Sequence, residues 1–157
     1  MKIFGKTFSY LKEKHGGDLL GVFVFFIFFF IVKPQWHSYK EIVRQFPTIG
    51  MCAFGFMLTF LGIILQGSSK TIEHMKTQSA LYTRFIDYNK RTVILALALS
   101  MYSYIIGYSN VDINIIKQLL LCNYLKISII SLFWGMIVKF VYDLYVFVRL
   151  FYLLLKQ

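Results

Sequence analysis

Apolar positions along this chain gather into four long runs, at 19–32, 46–66, 92–108 and 126–155, separated by shorter polar stretches. The second run, FPTIGMCAFGFMLTFLGIILQ, holds no charged residue. As a helix rising about 1.5 Å per residue it is long enough to cross a hydrocarbon layer of roughly 30 Å. Its small and polar members are ordered. Cys52, Gly55, Thr59, Gly62 and Gln66 recur at spacings of three and four, which puts them in one stripe. Phe54, Phe56, Met57, Phe60, Leu61 and Ile64 take the other faces. In lipid no hydrophobic force drives helices together, and small residues that allow close approach mark contact faces. The stripe is therefore expected to turn toward protein or toward a pore.

Two later runs carry similar seams: Ala96, Ser100, Ser103 and Gly107 in the third, and Ser128, Ser131 and Gly135 in the fourth. Matching seams favour tight packing among spans two, three and four over a pore lining. Thr59 and Gln66 keep a minority claim on a polar path, because their side chains can present oxygen to an ion or water. The pattern predicts an all-α membrane protein, a four-transmembrane-helix bundle forming a single integral domain over 1–157. Its spans fall at about 18–33, 46–66, 92–108 and 126–147, the last helix extending toward 155.

The polar stretches have patterns of their own. Near the amino terminus Phe4, Phe8 and Leu11 share a helical face, with Lys2, Lys6, Lys12 and Lys14 mostly elsewhere. This reads either as a basic amphipathic helix in the membrane interface or as a charged tail that sets topology. Gly16 and Gly17 are expected to break it before span one. The phenylalanine-rich first span suits a lipid-facing position, with Pro34 and Trp36 marking the membrane boundary. A short connector, 35–45, then leads to Pro47 in the first turn of span two. After Gly67 the chain turns polar but keeps a helical period. Ile72, Met75, Ser79, Tyr82 and Ile86 share a face that Leu81, Phe85 and Tyr88 widen. This helical cytoplasmic connector is the candidate partner-binding surface, through Lys70, Glu73, Lys76, Arg84, Lys90 and Arg91. The competing reading is an amphipathic connector resting on lipid.

Composition agrees with a membrane chain. Hydrophobic residues make up 58% of the 157, more than a soluble domain of this size can bury. The net charge of +10 then reports orientation and attraction to anionic lipid, and no motif for nucleic acid accompanies it. Four lysines precede span one, and five lysines and arginines lie between spans two and three. The opposite side holds three between spans one and two and two between spans three and four. Both termini and the long connector are accordingly expected in the cytoplasm. No small-x-small cleavage site follows the first run, so that span is expected to be retained.

Candidate chemistry is sparse. Lys139 and Asp143 are the charges well inside an apolar run, four residues apart and able to pair on one helix face. They read either as part of a polar path or as a snorkelling lysine and a wetted aspartate near the cytoplasmic end of an overlong helix. Cys52 and Cys122 both fall toward the outer side; a disulfide between them is conceivable, and two reduced thiols are the default. His15, His37 and His74 lie in three different segments and give no support for a metal site. No nucleophile–base pair, phosphate-cradling loop or acid pair outside the membrane appears, which argues against an enzyme and calls for no cofactor.

The second span running into GSSKTIEHMKTQSALYTRFIDYNKRT and an alanine-rich third span resembles a loose group of small bacterial four-helix membrane proteins. The shared theme is G-F-x-L-T-x-L-x-I, here GFMLTFLGI at 55–63. The group includes the RexB phage-exclusion protein, the Kiwa membrane subunit and CRISPR-associated four-helix proteins, and the likeness covers about 46–103. It implies an antiphage-defence component of the inner membrane that permeabilises the membrane or anchors and informs a cytosolic effector, and the chain is expected to act as a homo-oligomer. It implies no catalytic residue. The alternatives are a phage holin-like pore former and a non-conducting structural scaffold.

Overall fold

The computed structural model describes residues 2–34, 36–66, 70–77, 79–108 and 120–156, with side chains described from His15 onward except at 36–38, 70–71, 75, 79, 120–123 and 154–156. Five α-helices account for nearly all of it: α1 Lys2–Ile27, α2 Trp36–Gln66, α3 Lys70–Thr77, α4 Ser79–Tyr108 and α5 Leu120–Lys156. A π-helical turn, Phe28–Val32, ends the first span. Lys33 stops it by adopting a left-handed conformation, φ 46°, from which its N–H donates to the Phe28 carbonyl at 2.9 Å.

Four stretches are long and apolar enough to cross a membrane: His15–Val32, Tyr39–Gln66, Ala80–Tyr108 and Tyr124–Leu153. The chain is thus an all-α, multi-pass membrane protein with four spanning helices. Helix is the open-ended solution available in lipid, because it satisfies every backbone polar group within its own segment.

The helices are longer than the apolar runs that announce them. α1 passes through Gly16 and Gly17 unbroken, so the expected break is absent. Intrinsic glycine cost is modest, and the two glycines sit where α5 packs too closely for a side chain. The stretch expected as a connector before span two is the first part of α2, which places Pro47 in the helix interior rather than its first turn. Pro47 has no N–H for the carbonyl four residues earlier, a loss that a helix packed in lipid tolerates. The connector after span two is also reassigned. Only α3 stands apart, while the chain from Ser79 onward runs straight into span three.

The helices pack in the order α1–α5–α4–α2, and α1 makes no extensive contact with α2 or α4 among the described residues. The core has two centres. Toward the end that holds α3, Met57, Ile64, Phe85, Tyr88, Val146 and Phe147 pack together. Phe85 stacks on Phe147 with ring centroids 4.8 Å apart, and Phe60 meets Phe85, Phe147 and Phe151 edge-on. Phe85 and Tyr88 are therefore bundle core, not part of a detached arm. Toward the other end Val43, Ala96, Leu99, Phe133 and Phe140 form the second centre, with Phe46 edge-on to Phe133.

Close helix crossings rest on small residues. α1 meets α5 where Gly21 faces Gly135. α2 meets α4 where Gly50 faces Ser100 and the Ala96 carbonyl, with no room for a side chain on Gly50. Leu19, Val22, Phe23, Phe26 and Phe30 remain exposed, so the first span does offer lipid one face while its glycine face is buried against α5.

Candidate functional site

Because α1 and α4 both lean on α5 without closing on each other, a groove remains between them. Charged residues line it: His15 and Asp18 from α1, Arg91 from α4, and Lys139 and Asp143 from α5. Ile94, Leu95 and Ala98 extend its α4 wall with apolar surface. It encloses about 320 Å³. Asp18 lies fourteen residues before Val32, so a helical rise puts it roughly 21 Å from the far end of the first span. The groove is thus within the membrane-embedded part of the bundle, toward the end that carries both termini and α3.

Its electrostatics differ from what spacing predicts. The Lys139 ammonium does not pair with Asp143 one turn away along α5; it reaches across to α1 and bonds the Asp18 carboxylate. His15 Nδ1 lies 3.7 Å from the other Asp18 oxygen. Asp143 is turned inward, 7% exposed, beside Gly17, where a Cβ would lie 3.0 Å from Asp143 Oδ1. Arg91 is exposed, its guanidinium carbon 5.9 Å from the Tyr88 ring centroid. His15 and Asp18 were missed as site residues because both sit at the polar edge of the first run, where a charge reads as a boundary marker. The signal available was the four-residue spacing Gly17–Gly21, which aligns α1 with α5.

The three predicted seams fare differently. On α4, Ala96, Ser100, Ser103 and Gly107 are all buried. Gly107 accepts a hydrogen bond from Arg44 Nε at 3.0 Å, and a Cβ there would stand 3.1 Å from Arg44 Cγ. On α5, Ser131 and Gly135 are buried and Ser128 is half-buried; the Ser131 hydroxyl donates to the Ile127 carbonyl at 2.7 Å. Among the described residues the α2 stripe does not pack inside the chain. Cys52, Gly55, Thr59 and Gln66 are exposed, and a Cβ on Gly55 or Gly62 would have nothing within 4 Å. The residues that α2 buries are Val43, Gly50, Met57 and Ile64, at intervals of seven. Met57 and Ile64 fill the space around Phe85 and Phe147, which glycines cannot, while Gly50 is buried where α4 crosses closest.

The proposed polar path is likewise divided. Thr59 and Gln66 lie on the outer face of α2, and the Thr59 hydroxyl donates back to the Gly55 carbonyl at 2.9 Å. Lys139 and Asp143 line the groove beyond α4. Within one chain the two pairs do not meet.

Of the candidate partner-binding residues, Glu73 and Lys76 are exposed on α3, Lys90 and Arg91 are exposed on α4, and Arg84 is half-buried. The side chains of Lys70 and Cys122 and all of residues 109–119 are outside the described ones; Cys52 carries a free, exposed thiol. No set of three His, Cys, Asp or Glu side chains gathers as metal ligands among the described residues.

A second cavity, about 550 Å³, opens between α2 and α4 above the Gly50 crossing and is lined by Arg44, Pro47, Met51, Ser100 and Tyr104. Arg44 is the one charged residue in that lining, and its Nε is already bonded to Gly107; the other polar groups are the hydroxyls of Thr48, Ser100, Tyr104 and Tyr108. The groove between α1 and α4 is accordingly the part of the membrane-embedded surface with concentrated charge. No known protein family, no curated protein and no solved structure matches this chain.

Proposed function

We infer that this chain is a homo-oligomeric component of a bacterial antiphage defence system, seated in the inner membrane with both termini cytoplasmic. It acts without catalytic chemistry, by permeabilising the membrane when copies associate along α2. One observation carries the reading: a mid-span stripe of small and polar residues, Cys52, Gly55, Thr59 and Gly62, faces away from its own bundle. A stripe that lets backbones approach has no use against fluid lipid, and its fitting occupant is the same stripe of a second copy. Association along it brings Thr59 and Gln66 of several copies together, which supplies polar side chains that one chain does not gather. The cytoplasmic orientation is supported by the excess of lysine and arginine on the side of α3 and the termini. The defence role rests on the resemblance of the 46–103 region to phage-exclusion and defence membrane proteins.

The test is membrane potential in cells that express the chain and are challenged with phage. Depolarisation that accompanies protection, with both lost in Gly55→Leu/Gly62→Leu, is the expected result. Protection with an unchanged potential removes permeabilisation.

A second reading, an anchor for a cytosolic defence partner, is favoured by α3, which stands outside the four spans with Glu73 and Lys76 exposed. Reversing those two charges should then abolish co-purification of the partner while leaving the potential untouched.

A further inference from the structure

Asp143 is a carboxylate on the buried face of α5. It is 93% buried, and among the described residues neither a hydrogen bond nor an ion pair reaches it. Lys139, its natural partner one turn earlier, is engaged by Asp18 on α1. Leaving an ionised carboxylate in the membrane without a donor is unfavourable, and such groups face a partner, water or a ligand. Gly17 packs closely against one side of it, where a side chain would press on Asp143 Oδ1, and the groove lies on its other side. The space it lines is about ten times the volume that one water occupies in the liquid. A group of several atoms fits.

The rest of the lining narrows the chemistry. Arg91 on α4 supplies a cation at the rim of the same cavity, and His15 on α1 lies at that rim too. From Arg91 the α4 wall continues away from the termini through Ile94, Leu95 and Ala98, all apolar. The groove therefore presents an unpartnered anion, a cation, and then an apolar slot running toward the bilayer centre. A simple anion leaves Asp143 unsatisfied and is repelled by it. A bare cation leaves Arg91 and the slot unused.

We propose that this groove binds one aminophospholipid, a lipid with a primary ammonium and a phosphodiester such as phosphatidylethanolamine, drawn from the leaflet on the side of the termini. The ammonium donates to Asp143, the phosphodiester oxygens accept from Arg91, and an acyl chain lies along Ile94, Leu95 and Ala98. A choline headgroup carries the same charges but has no N–H to donate, and a glycerol headgroup brings no cation. The groove selects for the ammonium.

Native mass spectrometry of the full-length protein in detergent, with phosphatidylethanolamine, phosphatidylcholine and phosphatidylglycerol supplied in equal amounts, tests this. The expected result is one retained lipid per chain and a preference for phosphatidylethanolamine of roughly tenfold, the worth of one charge-assisted hydrogen bond. Asp143→Asn should erase the preference. Arg91→Gln, at an exposed position, should weaken retention of all three lipids. Equal retention of the choline and ethanolamine lipids, preference for the glycerol lipid, or an unchanged preference in Asp143→Asn would overturn the proposal. So would an Asp143-dependent gain in stability from sodium alone with no lipid selectivity, which would make this a cation site. Bound lipid per chain is read independently of oligomeric state and of any defence phenotype.

Discussion

Gly21 and Gly135 meet backbone to backbone. A Cβ on Gly21 would stand 2.9 Å from the Gly135 carbonyl oxygen, and one on Gly135 would stand 2.7 Å from that of Gly21. Neither neighbour can yield, because each is main chain within a helix. This crossing holds α1, which has no other extensive helix contact among the described residues, to the rest of the bundle.

Gly21→Leu or Gly135→Leu should therefore separate α1 from α5. Overpacking of this kind costs about 1–3 kcal/mol, and more where backbone must move. Thermal unfolding in detergent should show a lowered Tm for both variants, while Val22→Leu, at an exposed neighbour, leaves it unchanged. Equal Tm values for Gly21→Leu and the parent would contradict the crossing.

The Asp18–Lys139 pair should behave as a unit. Asp18→Asn or Lys139→Met alone strands a charge in the embedded groove, whereas the double variant strands neither. A double-mutant cycle on thermal stability should return a coupling of roughly 1–3 kcal/mol. Additive losses would mean that Lys139 keeps a different partner.

Asn89 is fully buried, and neither atom of its side-chain amide has a hydrogen-bond partner among the described residues. A buried amide left unpaired costs about 1–3 kcal/mol. Asn89→Leu, which keeps the branched outline of the side chain and removes both unpaired polar atoms, should thus raise Tm. A clear drop would contradict this and show that the amide is satisfied inside the bundle, as by an ordered water.

Much of this architecture was legible in the sequence. Four apolar runs gave four spans, since in lipid a run of that length has almost no alternative to helix. The seams of α4 and α5 were also legible, because Ser100, Ser131 and Gly135 lie where neighbouring helices cross. The α2 stripe was read as an internal seam by the same rule, and there the rule fell short. Spacing reports which residues share a face but not which neighbour the face meets, and α2 buries Met57 and Ile64 instead. The charged groove was half legible. Lys139 and Asp143 stood out inside an apolar run, but their partners come from other helices, and only tertiary packing brings Asp18 and Arg91 beside them.

The central claim is that the outward stripe of α2 joins copies of this chain, and Cys52 sits on it. In a Cys122→Ala background, mild oxidation of native membranes should yield a dimer cross-linked through Cys52. Adding Gly55→Leu and Gly62→Leu, at positions where a Cβ meets nothing within 4 Å among the described residues, should abolish that cross-link without lowering Tm. A chain that stays monomeric on oxidation, or a cross-link that survives both leucines, would contradict the account.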